Sequence, residues 1–262
     1  MKLESLTAAV REAGALAREK ALQAGVHVKS RSDFVTDADL AVSDFLGERL
    51  PTLLPGSRMI SEEGDALCAP EGETFIVDPI DGTTNLMYGL RLSALSVGYL
   101  SQGAPVMGVV YNPFTEELFA AERGKGATLN GAPVHVNGDA ALCDALIGAE
   151  AGPITAERQR DFFEKMTRLH MLGRGMRLTG SAALDLCYVA CGRFSAAVFH
   201  YLFPWDHAAG GLILREAGGR FTSLRGDAPG FSEREELLCA SNGALHEALL
   251  CHMRGAEGAR EK

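Results

Sequence analysis

Two aspartates, Asp78 and Asp81, fall within four residues at the end of an apolar run in "TFIVDPIDGTTN". A carboxylate driven into apolar surroundings is costly unless it neutralises or meets a cation. The placement recurs. Glu62 and Glu63 come just after Met59-Ile60, and Asp206 follows Trp205 at a helix start. Three separate element ends thus deliver acids to one kind of environment. Converging carboxylates with few histidines suit a hard, oxygen-seeking cation such as Mg²⁺ or Mn²⁺.

The local stereochemistry agrees. Pro79 forces Asp78 into an extended conformation, removes a backbone donor and leaves the Ile80 carbonyl as a candidate ligand. Asp81 precedes Gly82-Thr83-Thr84, a helix start whose free N–H groups can bind phosphate oxygens. Gly82 has no side chain to block a close approach. Taken singly, each motif has a plainer reading: Asp81 and Asp206 as N-caps, Asp78 as a turn residue, Glu62-Glu63 as a solvated acidic loop. Together they point to a metal and an anion meeting at one turn.

These acids need elements to hold them. Apolar positions Leu3, Leu6, Val10, Ala13, Leu16 and Ala17 predict an amphipathic helix over 3–24. "HVKSRSDFVTDAD" reads as a loop. Leu40, Val42, Phe45, Leu46 and Leu50 predict a second helix that stops before Pro51. "SRMISEEGD" reads as a short strand entering an acidic turn, and "TFIVDP" as a strand ended by its proline. The stretch from Ala94 to Val136 reads as a run of hairpins, with turns at Gln102-Gly103, Asn112-Pro113, Gly124–Gly126 and Asn130-Gly131. After a seam near 136–142, strands and helices alternate. The expected fold is therefore α+β followed by α/β. Residues 1–137 carry most of the acids, and 138–262 carry the last of them.

Composition narrows the function. A net charge of −9 argues against a nucleic-acid or anionic-membrane footprint over the whole surface, so neither DNA nor a membrane is an expected partner. No run of 18 uncharged apolar residues predicts a transmembrane helix, and Glu4, Arg11 and Glu12 break any signal-peptide core. The six cysteines form no C-x-x-C pair and read as reduced core thiols of a cytoplasmic protein.

"DPIDGTTN", with "SEEG" upstream and "WDHAAG" downstream, resembles the inositol monophosphatase family of Mg²⁺-dependent, Li⁺-sensitive sugar-phosphate phosphatases. The resemblance spans the chain from "KSRSDFVTDAD" to "EAGG". It implies a layered α-β-α-β-α sandwich and a homodimer. It implies two to three ions: Glu62, Asp78 and the Ile80 carbonyl at one, Asp78, Asp81 and Asp206 at a second, and Glu62 through waters at a weak third. Thr83 would bond Asp39, and Glu62, Asp39 and Thr83 would handle the attacking water. Asp81, Gly82, Thr83 and Thr84 would face the phosphate, and Gly180, Ser181 and Ala182 the sugar. Glu63 and Lys29 would support the metal loop, although Lys29 sits one residue nearer the aspartate than the family lysine. Two metals about 3.5–4 Å apart then allow in-line attack by water with no enzyme nucleophile.

The resemblance leaves the substrate open. Inositol monophosphate or a related small polyol phosphate leads. Histidinol phosphate, fructose 1,6-bisphosphate and 3'-phosphoadenosine phosphate remain, as does a regulatory protein binding RNA polymerase or ribosomes. Inositol-specific relatives place a hydroxyl-reading glutamate seven residues before the W-D aspartate, where this chain has Phe199, and no acid lies between Ser195 and Trp205. That predicts broad activity, unless His200 or Tyr201 faces the sugar while Phe199 fills the core. Arg174 and Arg177 could reach an anionic substrate or form a solvated loop. His207 is expected to pack outward, and "GKG" at 124–126 to form a hairpin turn.

Overall fold

The computed structural model describes residues 1–21, 25–28, 34–64, 67–152 and 156–255. Helix α1 (Leu3–Ala21) buries Leu6, Val10, Ala13 and Ala17 of the predicted stripe and leaves Leu3 and Leu16 half-buried. The expected loop holds two short antiparallel strands, β1 (Val26–Val28) and β2 (Phe34–Thr36). Helix α2 (Asp37–Leu53) runs through Pro51 instead of stopping before it. The proline sits in the last turn, where it forfeits one backbone bond while buried Leu50 still anchors the helix. Leu40 is exposed at 42%, and buried Asp39 takes a place on the inner face.

A seven-stranded sheet follows, in the order β3 (Arg58–Ser61), β4 (Glu73–Asp81), β5 (Ala94–Ser101), β6 (Ala104–Asn112), β7 (Glu117–Glu122), β8 (Ala127–Leu129), β9 (Ala132–Val134). Only β3 and β4 are parallel; the rest form the predicted meander. Strand β4 does not end at Pro79 but continues to Asp81, its register against β5 shifting between Asp78 and Asp81. Such an irregularity absorbs the missing proline N–H and re-aims a side chain. Short helix α3 (Thr83–Met87) leaves this strand through Gly82.

The second sheet has the order β11 (Gly175–Arg177), β10 (Leu146–Glu150), β12 (Ala196–Leu202), β14 (Glu235–Ser241), β13 (Arg220–Ser223). β10 is parallel to both β11 and β12, and the other pairings are antiparallel. β11 lies within "GRGMR", a stretch whose sequence reads as an anion-reaching segment or a solvated loop. The remaining helices are α4 (Ala156–Leu172), α5 (Ala182–Ala190), α6 (Pro204–Glu216) and α7 (His246–Met253).

Four apolar clusters stack these elements, the smallest seating Ala208 of α6 on Ile76 and Leu100 of the first sheet. Leu6, Val10, Val42 and Leu46 of α1 and α2 meet Val77, Val97 and Val109 of the first sheet. Leu184, Leu186, Leu212 and Ile213 of α5 and α6 fill the space between Val110 and Phe119 of the first sheet and Phe199 and Leu238 of the second. Phe162, Leu169, Leu249 and Met253 of α4 and α7 cover Ile147 and Val198 on the far face. The layers run α-β-α-β-α. None of the helices among the described residues is long and apolar enough to cross a membrane. The six cysteines are all unbridged, but Cys143 and Cys251 are exposed and so are not core thiols.

One packing detail places α6. Gly98 and Gly108 face each other across β5 and β6. A Cβ on Gly98 would lie 2.8 Å from Ala208 Cβ, and one on Gly108 2.7 Å from the Ala209 carbonyl. The paired glycines let the helix backbone rest on the sheet. Gly108→Ala should therefore destabilise the protein by about 1–3 kcal/mol, read as a lower urea midpoint with an unchanged slope. An unchanged midpoint would mean the helix is free to lift.

Candidate active site

Strand β4 delivers Asp78 and Asp81, and parallel β3, in register at Ser61 and Val77, brings Glu62 beside them. The Glu62 N–H donates to the Val77 carbonyl at 3.2 Å. Asp78 is opposite Ser96 on β5, and the Ser96 hydroxyl donates to the Trp205 carbonyl at 3.1 Å. The start of α6, with Asp206 in its first turn, is thereby tied to the strand that carries Asp78.

Asp81 and Asp206 are each fixed through one oxygen, and Asp39 through both. Asp81 Oδ2 accepts the Ser181 hydroxyl at 2.6 Å and the Ala183 N–H at 2.8 Å. Asp206 Oδ2 accepts the Phe203 N–H at 2.7 Å. Asp39 Oδ2 accepts the Thr36 N–H at 2.8 Å and the Thr36 hydroxyl, while its Oδ1 accepts the Thr83 hydroxyl at 2.9 Å. The Thr83 hydroxyl also lies 3.1 Å from the Ile80 carbonyl. Asp78 Oδ1 is buried with no hydrogen-bond partner.

Burial and crowding act on these groups together. Burial, then the charges of Glu62, Asp81 and Asp206, hold the Asp78 carboxyl well above the ordinary aspartate range. Burial, then Asp81 and Glu62, does the same to Asp206. Asp81 is pushed up to about 6 by burial, against the pull of Ser181 and Ala183. Burial also raises Asp39, opposed by its bonds to Thr36 and Thr83.

Among the described residues, no three His, Cys, Asp or Glu side chains are already drawn together as a ligand cluster. The donor chemistry nevertheless fits a hard cation. Every group is an oxygen, several acids repel one another, and Asp78 Oδ1 lacks the partner that a buried oxygen requires. Glu62, Asp78, Asp81 and Asp206 line one cavity of about 160 Å³ together with Ile80, Gly82, Thr83 and Thr84. Gly82 has φ +89°, and a Cβ there would meet the Leu92 and Gly180 carbonyls at 2.9 and 3.0 Å, so glycine is required. A second cavity of about 200 Å³ shares Glu62, Asp81, Gly180 and Asp206 with the first and extends to Glu150, Ala182, Tyr201, Phe203, Trp205 and Arg234.

Other expectations resolve residue by residue. Gly180 and Ala182 line the second cavity, but the Ser181 hydroxyl is spent on Asp81. Glu63 sits in the turn after β3, and Lys29 lies outside the described residues. Phe199 is fully buried, edge-to-face with Phe221. His200 packs on Phe162, and Tyr201 lines the cavity. Arg174 pairs with exposed Asp144, Arg177 bonds the Met176 carbonyl, and neither lines the two cavities. His207 packs inward instead of outward, between Phe221 and Phe231, because its turn of α6 is buried all round. The Gly124–Gly126 turn forms as expected, with the Gly124 and Gly126 N–H groups on the Glu216 carboxylate.

Two contributors escaped the sequence reading. Asn85 donates to the Leu92 and Thr179 carbonyls at 2.7 and 2.8 Å, bracing the loop that carries Gly180. Glu150 ends β10 in the second cavity, where burial and then the Asp81 charge push it up to about 7 while the Gly180 N–H pulls the other way. An acid at the end of an apolar strand was the signal that flagged Asp78, and it applied equally to "ALIGAE".

Comparison with known proteins places this arrangement. The profile of the inositol monophosphatase family matches residues 2–257. Inositol monophosphatase 3 of Solanum lycopersicum is 36% identical over 260 residues, covering 95% of this chain and 94% of its own. Inositol-1-monophosphatase of Rhizobium meliloti is 40% identical over 204 residues, covering 77% and 76%. The crystal structure of the extragenic suppressor protein suhB from Bartonella henselae superposes with a TM-score of 0.87 at 31% identity, over 98% of each chain. Motifs, layer order and relatives agree along nearly the whole length: the chain belongs to the inositol monophosphatase family and is a phosphoric monoester hydrolase.

Proposed function

We propose that this chain hydrolyses inositol monophosphate or a related small polyol or sugar phosphate in a Mg²⁺-dependent reaction. The observation that carries the reading is the first cavity, where Glu62, Asp78, Asp81 and Asp206 meet the glycine turn of Gly82. Glu62, Asp78, the Ile80 carbonyl, Asp81 and Asp206 are the groups that would hold the ions, with Mn²⁺ as a chemical alternative. An ion held by these groups would neutralise charge on the transferred phosphoryl group and would supply an activated water. The backbone N–H groups at Gly82 and Thr83 are free to orient phosphate oxygens. Because the Thr83 hydroxyl donates to Asp39, its oxygen is left to accept a hydrogen from the attacking water. The Thr83–Asp39 pair and Glu62 are the groups positioned to take that proton. Family membership also supports Li⁺ inhibition, a homodimer and a cytoplasmic setting.

A phosphate-release panel tests the substrate class. Inositol 1-phosphate and glycerol 2-phosphate should both be hydrolysed in Mg²⁺, and faster than histidinol phosphate, fructose 1,6-bisphosphate or 3'-phosphoadenosine phosphate. If the last three are preferred, the polyol reading is wrong. If nothing is hydrolysed with Mg²⁺ or Mn²⁺, the metal-dependent reading is wrong.

A further inference from the structure

We propose that Glu150 reads the hydroxyl groups of the leaving alcohol, an inference that rests on the phosphatase reading above. β12 brings no acid to the cavity: Phe199 is fully buried against Phe221, no acid lies between Ser195 and Trp205, and Tyr201, which does line the cavity, donates its hydroxyl to Glu236 at 2.7 Å. The adjacent strand can. β10 runs parallel to β12 with Glu150 directly opposite Phe199. In-register neighbours on parallel strands project to the same face of a sheet, about 4.8 Å apart. A Cβ on Gly148, two residues before Glu150 on that face, would lie 3.0 Å from Phe194 and 3.1 Å from Asp185 of α5, so this face of β10 looks toward α5. The carboxylate is thus displaced by one strand and still opens on the cavity lined by Asp81 and Asp206.

Its surroundings suit a neutral, hydroxyl-rich ligand. No arginine, lysine or histidine among the described residues forms an ion pair with Glu150. Arg234, the cation lining the same cavity, is stacked on the Tyr201 ring at 4.1 Å. A carboxylate without a cation gains most from O–H donors, and its two oxygens can accept from adjacent hydroxyls of a polyol. Glu150 sits beyond the stretch shared by the two cavities, so it faces the alcohol and not the phosphoryl group.

The test compares wild type, Glu150→Gln and Glu150→Ala on inositol 1-phosphate and on ethyl phosphate, whose alcohol has no second hydroxyl. Both variants should lose at least about tenfold in kcat/KM on the inositol ester and change less than about twofold on ethyl phosphate. Free inositol should become a weaker product inhibitor, with inhibition by inorganic phosphate unchanged. The ratio of the two kcat/KM values does not depend on how much of a variant is folded. A ratio equal to that of wild type, whether both activities fall or neither does, overturns the inference. Should wild type hydrolyse neither ester in Mg²⁺, the phosphatase reading falls and takes this assignment with it.

Discussion

Asp206→Asn and Asp81→Asn will each lower turnover by more than about a hundredfold, with the fold intact. Each substitution keeps the shape and one acceptor oxygen, so the anchoring bonds from Phe203 and from Ser181 or Ala183 can persist. What disappears is one charge where several carboxylates crowd. Turnover within about tenfold of wild type would remove these residues from the chemistry. Stability should move the other way. Asp81 titrates near 6 in the folded protein and near 3.9 in the unfolded chain. Between those values the folded state binds more protons, so this residue's contribution falls as pH rises through the window. Above it, Asp81 costs on the order of 3 kcal/mol in the metal-free protein. His207, held down to about 3, and His246, held down to about 4, act with the opposite sign, losing stability as pH falls below about 6.5. The measurement is therefore the melting temperature of Asp81→Asn minus that of wild type, both metal-free. The difference should be larger at pH 8 than at pH 4.5; a difference that shrinks with rising pH contradicts the crowding of charge described here.

Exhaustive chelation should abolish phosphate release, and added Mg²⁺ should restore it. The same addition should raise the melting temperature of wild type at pH 8 well above that of chelated protein, because an ion that binds only the folded state stabilises it by mass action. Asp206→Asn should lose most of that shift. Full activity after chelation, or an equal Mg²⁺ shift in the variant, would sink the assignment of these oxygens as ligands. Thermal shift reports on the ion without turnover, so a poor choice of substrate cannot mask the result.

Much of this was legible in the sequence because the acids are local. Glu62 follows β3, Asp78 and Asp81 close the apolar run of β4, and Asp206 opens α6, each beside a plain local pattern, and Gly82 advertises its turn. The meander was legible through its turn residues. Continuous apolar runs, in contrast, do not say which way a side chain points. "SAAVFHYL" is buried on both faces, so alternation could not choose among Phe199, His200 and Tyr201; Phe162 of α4 and Phe221 of β13 made that choice. Glu150 carries the same local mark as Asp78, an acid closing an apolar strand, but what it faces depends on which strand lies beside β10, and a parallel neighbour distant in sequence does not show that locally. Pro51 and Pro79 misled for one reason. A proline at the last turn of a helix or at a strand irregularity costs a single hydrogen bond, which tertiary packing readily outweighs.

The bonds from Ser181 and Ala183 to Asp81 span 100 and 102 positions of the chain. A chain growing from its N-terminus can complete the seven-stranded sheet, through Val134, before any residue that steadies Asp81 has been made. At that stage Glu62, Asp78 and Asp81 form a patch of like charge beside the bare glycine bed of Gly98 and Gly108, which awaits α6. Contacts of such long reach form late, since the loop between them must first be closed. Catalysis should therefore be among the last properties to be acquired during biosynthesis, and the onset of phosphate release during refolding should track the docking of α5 and α6.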